Sequence, residues 1–108
     1  EVQLHATLAQ VLLEAGIEHV REFHLDANNR ADFWLPLDQG GLVIEVKVDG
    51  AIGEALRQVS RYAALPDVQG VLLASTCRWA RPELSDVPAT GGWGGKPAAI
   101  VHLQRQAL

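Results

Sequence analysis

Residues 31–47 constrain this chain more than any other stretch. They read Ala31-Asp32-Phe33-Trp34-Leu35-Pro36-Leu37-Asp38-Gln39-Gly40-Gly41-Leu42-Val43-Ile44-Glu45-Val46-Lys47, two runs of branched and aromatic residues around an Asp-Gln-Gly-Gly turn signal. That composition predicts a β-hairpin. In the second run Leu42, Ile44, Val46 and Val48 alternate with Val43, Glu45, Lys47 and Asp49, so Glu45 and Lys47 share one face and the aliphatics mostly take the other. A loop with an even number of residues opposes positions of opposite parity and lands Asp32 on that same face, across from Glu45 or Lys47. An odd loop or a bulge would break the arrangement.

Two carboxylates and an ammonium brought together in this way are an uncomfortable set, because the carboxylates repel and raise one another's pKa. A divalent cation relieves the repulsion. Hard oxygen ligands suit Mg²⁺ or Mn²⁺, and Mg²⁺ takes one or two carboxylates while keeping waters and substrate phosphate oxygens. Lys47 is then placed to hold a metal-activated water or to stabilise charge developing on a phosphate. The plainer reading is a surface hairpin with an ordinary salt bridge, and the surrounding chain has to decide between the two.

With 108 residues, 48% hydrophobic and 20% charged, a single globular domain over 1–108 is expected. No apolar run approaches the roughly 18 residues a membrane span needs. There is no basic-then-apolar leader, although the sequence opens on Glu1 and holds no Met, from which a missing or processed N-terminus is expected. The single cysteine, Cys77, excludes an internal disulfide framework and a cysteine-based zinc site, which fits a cytoplasmic setting. A net charge of −4 is awkward for tight binding to nucleic acid, since phosphate contacts rely on Lys and Arg. Any such binding is expected to depend on metal, on oligomerisation or on a fused partner.

Upstream of the hairpin, Leu4, Leu8, Val11, Leu12 and Ala15 recur at helical spacing, and Gly16 is a stop signal, giving a helix over roughly residues 2–15. His5 reads as a surface or boundary residue of that helix. The second half of 17–25 reads as a strand, and Asp26-Ala27-Asn28-Asn29 as a turn into Asp32. His19 and His24 lack a third clustered ligand for zinc. Arg30, just before the acid, is a candidate phosphate contact.

Beyond Lys47 the period changes from two to helical. Ile52, Ala55, Leu56, Val59 and Ala63 form one stripe to about Leu65, where Pro66 ends the helix. Gln58 and Tyr62, four apart, border that stripe and face back toward the hairpin. Val71-Leu72-Leu73-Ala74 reads as a central strand buried on both faces and parallel to a hairpin strand, with Arg78, Trp79 and Arg81 at its exit. From Pro82 to Pro97 regularity is lost. Gly91 to Pro97 fails the test for a phosphate-binding loop, because the first glycine is missing and Pro97 replaces the Ser or Thr after the lysine. In that segment Trp93 is a candidate for base stacking and Lys96 for a phosphate contact. A last strand is expected over residues 98–103.

The order helix, strand, strand, strand, helix, strand, strand around Asp32, Glu45 and Lys47 resembles the PD-(D/E)XK nuclease superfamily. The shared pattern is Asp32, twelve intervening residues, then Glu45-Val46-Lys47. Gln58-x-x-x-Tyr62 is similar to the Gln-x-x-x-Tyr element of RecB-like and lambda-exonuclease-like members, and the compact form looks like stand-alone virus-type replication-repair (VRR-NUC) and phage-type nuclease domains. The residue before Asp32 is Ala31 where the superfamily name has Pro. A helix-one acid is common in members, and Glu1 and Glu14 both remain open for it.

What the resemblance implies is an α/β fold with a restriction-endonuclease-like αβββαβ core, a mixed central sheet flanked by helices. It implies Mg²⁺ or Mn²⁺ held by Asp32, Glu45 and the Val46 carbonyl, with Lys47 orienting the attacking water and Gln58 holding Lys47 or the substrate. Arg30, Tyr62 and Lys96 would contact nucleic acid. The activity implied is a metal-dependent DNA endonuclease of DNA repair, acting on DNA that includes branched or single-stranded forms, without a membrane, as a homodimer or beside a fused or partner helicase or recombination protein. The competing reading keeps the fold as a non-catalytic nucleic-acid- or protein-binding module. Cys77 and the serines lack the His and acid partners of a nucleophilic triad.

Overall fold

The computed structural model describes residues 2–81 and 95–103. The first element, α1 (Val2–Glu14), turns Leu4, Leu8 and Leu12 to one side. It stops at Gly16, whose φ of +71° is left-handed and lets the N–H groups of Gly16 and Ile17 reach back to the Leu13 and Leu12 carbonyls. Next comes β1 (Val20–His24). The Asp26 carboxylate then accepts the N–H groups of Asn28 and Asn29, both at 2.8 Å, and this folds the chain back into β2 (Arg30–Leu37).

β2 and β3 (Gly40–Lys47) form the hairpin, with Leu37 paired to Gly40 across the two loop residues Asp38 and Gln39. The turn is shorter than the Asp-Gln-Gly-Gly signal. Both glycines belong to β3: Gly40 sits at a φ of +94°, and a Cβ at Gly41 would lie 2.6 Å from the Trp34 ring. α2 (Ile52–Ala63) buries Ala55, Val59, Tyr62 and Ala63, the i, i+4, i+7, i+8 stripe of an amphipathic helix. It ends two residues before Leu65, where the chain tightens through Leu65 N–H to the Tyr62 carbonyl before Pro66. β4 (Val68–Ser75) and β5 (Ala98–His102) follow.

The five strands form one mixed sheet in the order β1-β2-β3-β4-β5. The first three are antiparallel; β3, β4 and β5 are parallel, which the α2 crossover makes possible. Each face has its own core. Val43, Val71 and Leu73 pack with the α2 residues, and Ile44, Val46, Phe33 and Leu72 pack with Leu4, Leu8 and Leu12 of α1. β4, between two parallel neighbours, is the most deeply buried strand, as its apolar run predicts. No helix among the described residues is long and apolar enough to cross a membrane.

Candidate active site

The site forms where β2 and β3 stop pairing. Their regular register runs from Leu37↔Gly40 to Phe33↔Ile44. One step further, the same register sets Asp32 opposite Glu45, the even-loop outcome, but here side chains take over from the backbone ladder. Asp32 N–H donates to Glu45 Oε1 at 3.3 Å, and Val46 N–H donates to Asp32 Oδ2 at 2.8 Å. The Lys47 carbonyl accepts from Thr76 N–H on the β4 side. Since backbone groups alternate sides along a strand, the Val46 carbonyl faces the gap that Asp32 occupies.

A phase change in β1 and β2 puts the Asp32 carboxylate in this gap. Phe33 packs with the α1 cluster and Trp34 with the α2 cluster, yet Ala31 also belongs to the α2 cluster, where strict alternation would have put it beside Phe33. Its neighbour strand shifts at the same level. The Arg21 guanidinium lies over the Phe33 ring on one face while Phe23 stacks on Trp34 on the other, and Glu22 between them has a φ of +51°. Positive φ in a non-glycine residue within a strand is strained, and strain of this kind gathers at functional sites.

Burial makes the acids electrostatically unequal. Glu45 is only 3% exposed, and its pKa is pushed up to about 7, first by burial and then by the Asp32 charge. The Asp32 N–H and Lys47, whose Nζ is 3.7 Å from Glu45 Oε2, offset this in part. Lys47 keeps part of its side chain in solvent, so the ammonium stands at the mouth of the site and the carboxyl at its floor. His5 of α1 approaches from the other face, with Nε2 3.8 Å from Asp32 Oδ2 and its ring 5.9 Å from that of Phe33.

The sequence reads His5 as a surface or boundary residue, and the structure turns it inward toward Asp32: it falls on the stripe His5, Leu8, Ala9, Leu12, one turn ahead of residues that pack inward. Of the two helix-one acids, Glu14 does not take this place. Glu14 is exposed, accepts from Gln10, and is nine residues from His5, roughly 13 Å along the helix axis. Glu1 lies outside the described residues.

The remaining candidates separate. Gln58 donates to the Tyr62 hydroxyl at 2.7 Å, and Tyr62 donates to the Arg30 carbonyl at 2.9 Å, a chain that ties α2 to the start of β2. Gln58 thus gives one of its two amide N–H groups to Tyr62. Tyr62 is 2% exposed, with its pKa raised to about 12 by burial and the Glu45 charge, so it braces the site from below instead of offering a surface contact. The Arg30 guanidinium is exposed at the rim, 3.9 Å from Glu22. Lys96 is at the other end of the sheet: its Nζ donates to the Leu65 carbonyl at 2.6 Å beyond the end of α2, near the Gly41↔Val68 pair. Trp93 lies outside the described residues.

For a hard divalent cation the donor set is adequate: two carboxylates, the carbonyl facing the gap between them, and a buried acid whose raised pKa marks a place where negative charge lacks compensation. Among the described residues no group of three or more His, Cys, Asp or Glu side chains is arranged to hold an ion on its own, so the ion would keep waters or substrate oxygens. No protein-family model, no curated protein and no solved structure matches this chain.

Proposed function

We propose that the chain is a nuclease of the PD-(D/E)XK type, with a restriction-endonuclease-like core, that hydrolyses DNA phosphodiester bonds in the presence of Mg²⁺ or Mn²⁺. One observation carries the reading: at the end of the hairpin the backbone ladder gives way to a pair of carboxylates, one buried, with a lysine ammonium 3.7 Å from the buried one. A purely structural sheet has no use for that exchange, because burying a carboxylate beside another is costly.

In this reading Asp32, Glu45 and the Val46 carbonyl hold the cation, which supplies Lewis acidity toward a phosphate oxygen and a more acidic water. Lys47 orients the attacking water and steadies negative charge as the bond to the leaving 3′ oxygen breaks. His5 orients Asp32 from the α1 side. Tyr62 and Gln58 fix the strand that carries Asp32, a positioning role at one remove from the substrate.

The test combines calorimetry and cleavage. Mn²⁺ should bind the wild type and lose affinity in Asp32→Asn and Glu45→Gln. Plasmid, single-stranded and four-way-junction DNA should be cut only with the ion present, and Lys47→Ala should lower the rate about 10²–10³-fold while Mn²⁺ still binds. Equal cleavage by wild type and Lys47→Ala would refute the catalytic assignment. The second reading, a non-catalytic binding module, is favoured by the commitment of Gln58 to Tyr62. It predicts DNA or protein binding without cleavage in any divalent ion.

A further inference from the structure

The segment that leaves β4 is built as a rigid corner. Thr76 N–H donates to the Lys47 carbonyl, Cys77 N–H to Ser75 Oγ at 3.0 Å, and Ala80 N–H to the Cys77 carbonyl at 3.1 Å. Trp79 Nε1 donates to the Gly50 carbonyl at 3.1 Å, tying the corner to the turn after β3. Ser75 is fully buried, Ala80 is 3% exposed in the α2-side core, and the Trp79 side chain packs against that core. These anchors leave two residues of the corner in open solvent that carry charge, Arg78 and Arg81.

Their place in the sheet gives them meaning. Lys47 pairs with Ser75 in the parallel β3–β4 register, so the corner begins beside Lys47, at the end of the sheet where Asp32 and Glu45 sit. In open α/β sheets ligands gather outside the carboxyl ends of parallel strands. Neither Arg78 nor Arg81 forms an ion pair with a described residue, and Asp49 in the turn after β3 and Glu54 in the first turn of α2 are exposed and paired with neither. In a chain of net charge −4, two guanidinium groups on one braced corner, in no ion pair among the described residues, put cationic hydrogen-bond donors beside the site.

We propose that Arg78 and Arg81 grip the phosphate backbone of the DNA strand that enters beside Lys47. The location of that strand rests on the nuclease reading. A guanidinium presents a planar fork of donors that matches phosphate oxygens, and a fixed loop gives up little freedom on binding. The indole N–H of Trp79 and one side of its ring are taken up by the scaffold, which leaves the two arginines as the groups of the corner that face solvent in full. Contact is therefore to phosphate, and binding at this corner is indifferent to base sequence.

The test reads binding apart from turnover. Fluorescein-labelled duplex and single-stranded oligonucleotides of mixed sequence are titrated with the protein in Ca²⁺, over a range of NaCl concentrations. The double variant Arg78→Ala/Arg81→Ala should bind about tenfold or more weakly at ~100 mM salt and flatten the slope of log K against log salt by roughly 2 for duplex, about one unit for each lost phosphate contact. Arg57→Ala, on the exposed side of α2, should leave both unchanged; circular dichroism of all variants guards against misfolding.

If wild type and double variant share one affinity and slope, or if the wild type binds neither oligonucleotide, the proposal is overturned. The nuclease reading fails separately. Cleavage that depends on Lys47 but not on the arginines leaves the reading standing and sinks the grip. Arginine-dependent binding without cleavage in Mg²⁺ or Mn²⁺ does the reverse.

Discussion

The buried carboxyl gives the sharpest test of the site, because replacing it changes stability in a direction that depends on pH. Glu45 ionises at about 7 in the folded chain against 4.5 as its ordinary value. A raised carboxyl favours the folded state while protonated, so its contribution is fully present below about pH 4.5 and is lost as pH climbs through 7. Each unit corresponds to about 1.4 kcal/mol, so the ion-free protein should lose roughly 3 kcal/mol of stability across that window. Glu45→Gln has no charge to bury and keeps an oxygen for the Asp32 N–H. It should therefore outlast the wild type at pH 8 in EDTA by as much as 2–3 kcal/mol, with the advantage mostly gone by pH 5. The Lys47 pair is already contained in this figure, since its ammonium is one of the groups that hold the Glu45 shift down to about 7. Urea denaturation at the two pH values, with and without Mn²⁺, measures the difference. Mn²⁺ at pH 8 should stabilise the wild type and leave the variant unmoved. A wild-type-minus-variant gap that is the same at pH 5 and pH 8 would refute the claim that Glu45 is buried beside an uncompensated Asp32.

Three further outcomes are expected. Tyr62→Phe leaves the Arg30 carbonyl and the Gln58 amide without their shared partner, and chemical denaturation should show a loss of about 1–3 kcal/mol. Glu22→Gly relieves a left-handed φ and should raise stability by up to about 1 kcal/mol, whereas Glu22→Val should lower it by more than that; opposite signs in the two melts are the check. Gly41→Ala drives a methyl group to within 2.6 Å of the Trp34 ring and should cost about 1–3 kcal/mol, visible as a lower Tm and a shifted Trp emission.

The elements were legible in the sequence wherever a single periodicity ruled. Ala55, Val59 and Ala63 announce the inner face of α2, with Tyr62, expected at its border, buried as well, and the unbroken Val71-Leu72-Leu73-Ala74 run announces a strand covered on both sides. An even loop allows Asp32 to stand opposite Glu45 or Lys47, and the two-residue turn, with its register carried one step past Phe33↔Ile44, selects Glu45. The phase change at Glu22 and Asp32 was not legible, because nothing in Val-Arg-Glu-Phe-His signals a left-handed residue, and the kink is imposed by what the two strands must cover on opposite faces. His5 reads from the sequence as a surface or boundary residue because an imidazole suits a boundary as well as a site, and only the third dimension brings it to Asp32. Lys96 looked like a free cation beside glycines; its ammonium instead terminates a helix at the far end of the sheet.

The exchange of backbone acceptors for carboxylate oxygens at the hairpin's open end means that each acid is a fastener as well as a proposed ligand. Trimming Asp32 to alanine strands the Val46 N–H, and trimming Glu45 to alanine strands that of Asp32, so an inert protein made that way would have two independent reasons for being inert. The amides Asp32→Asn and Glu45→Gln keep the seam sewn and withdraw only the charge.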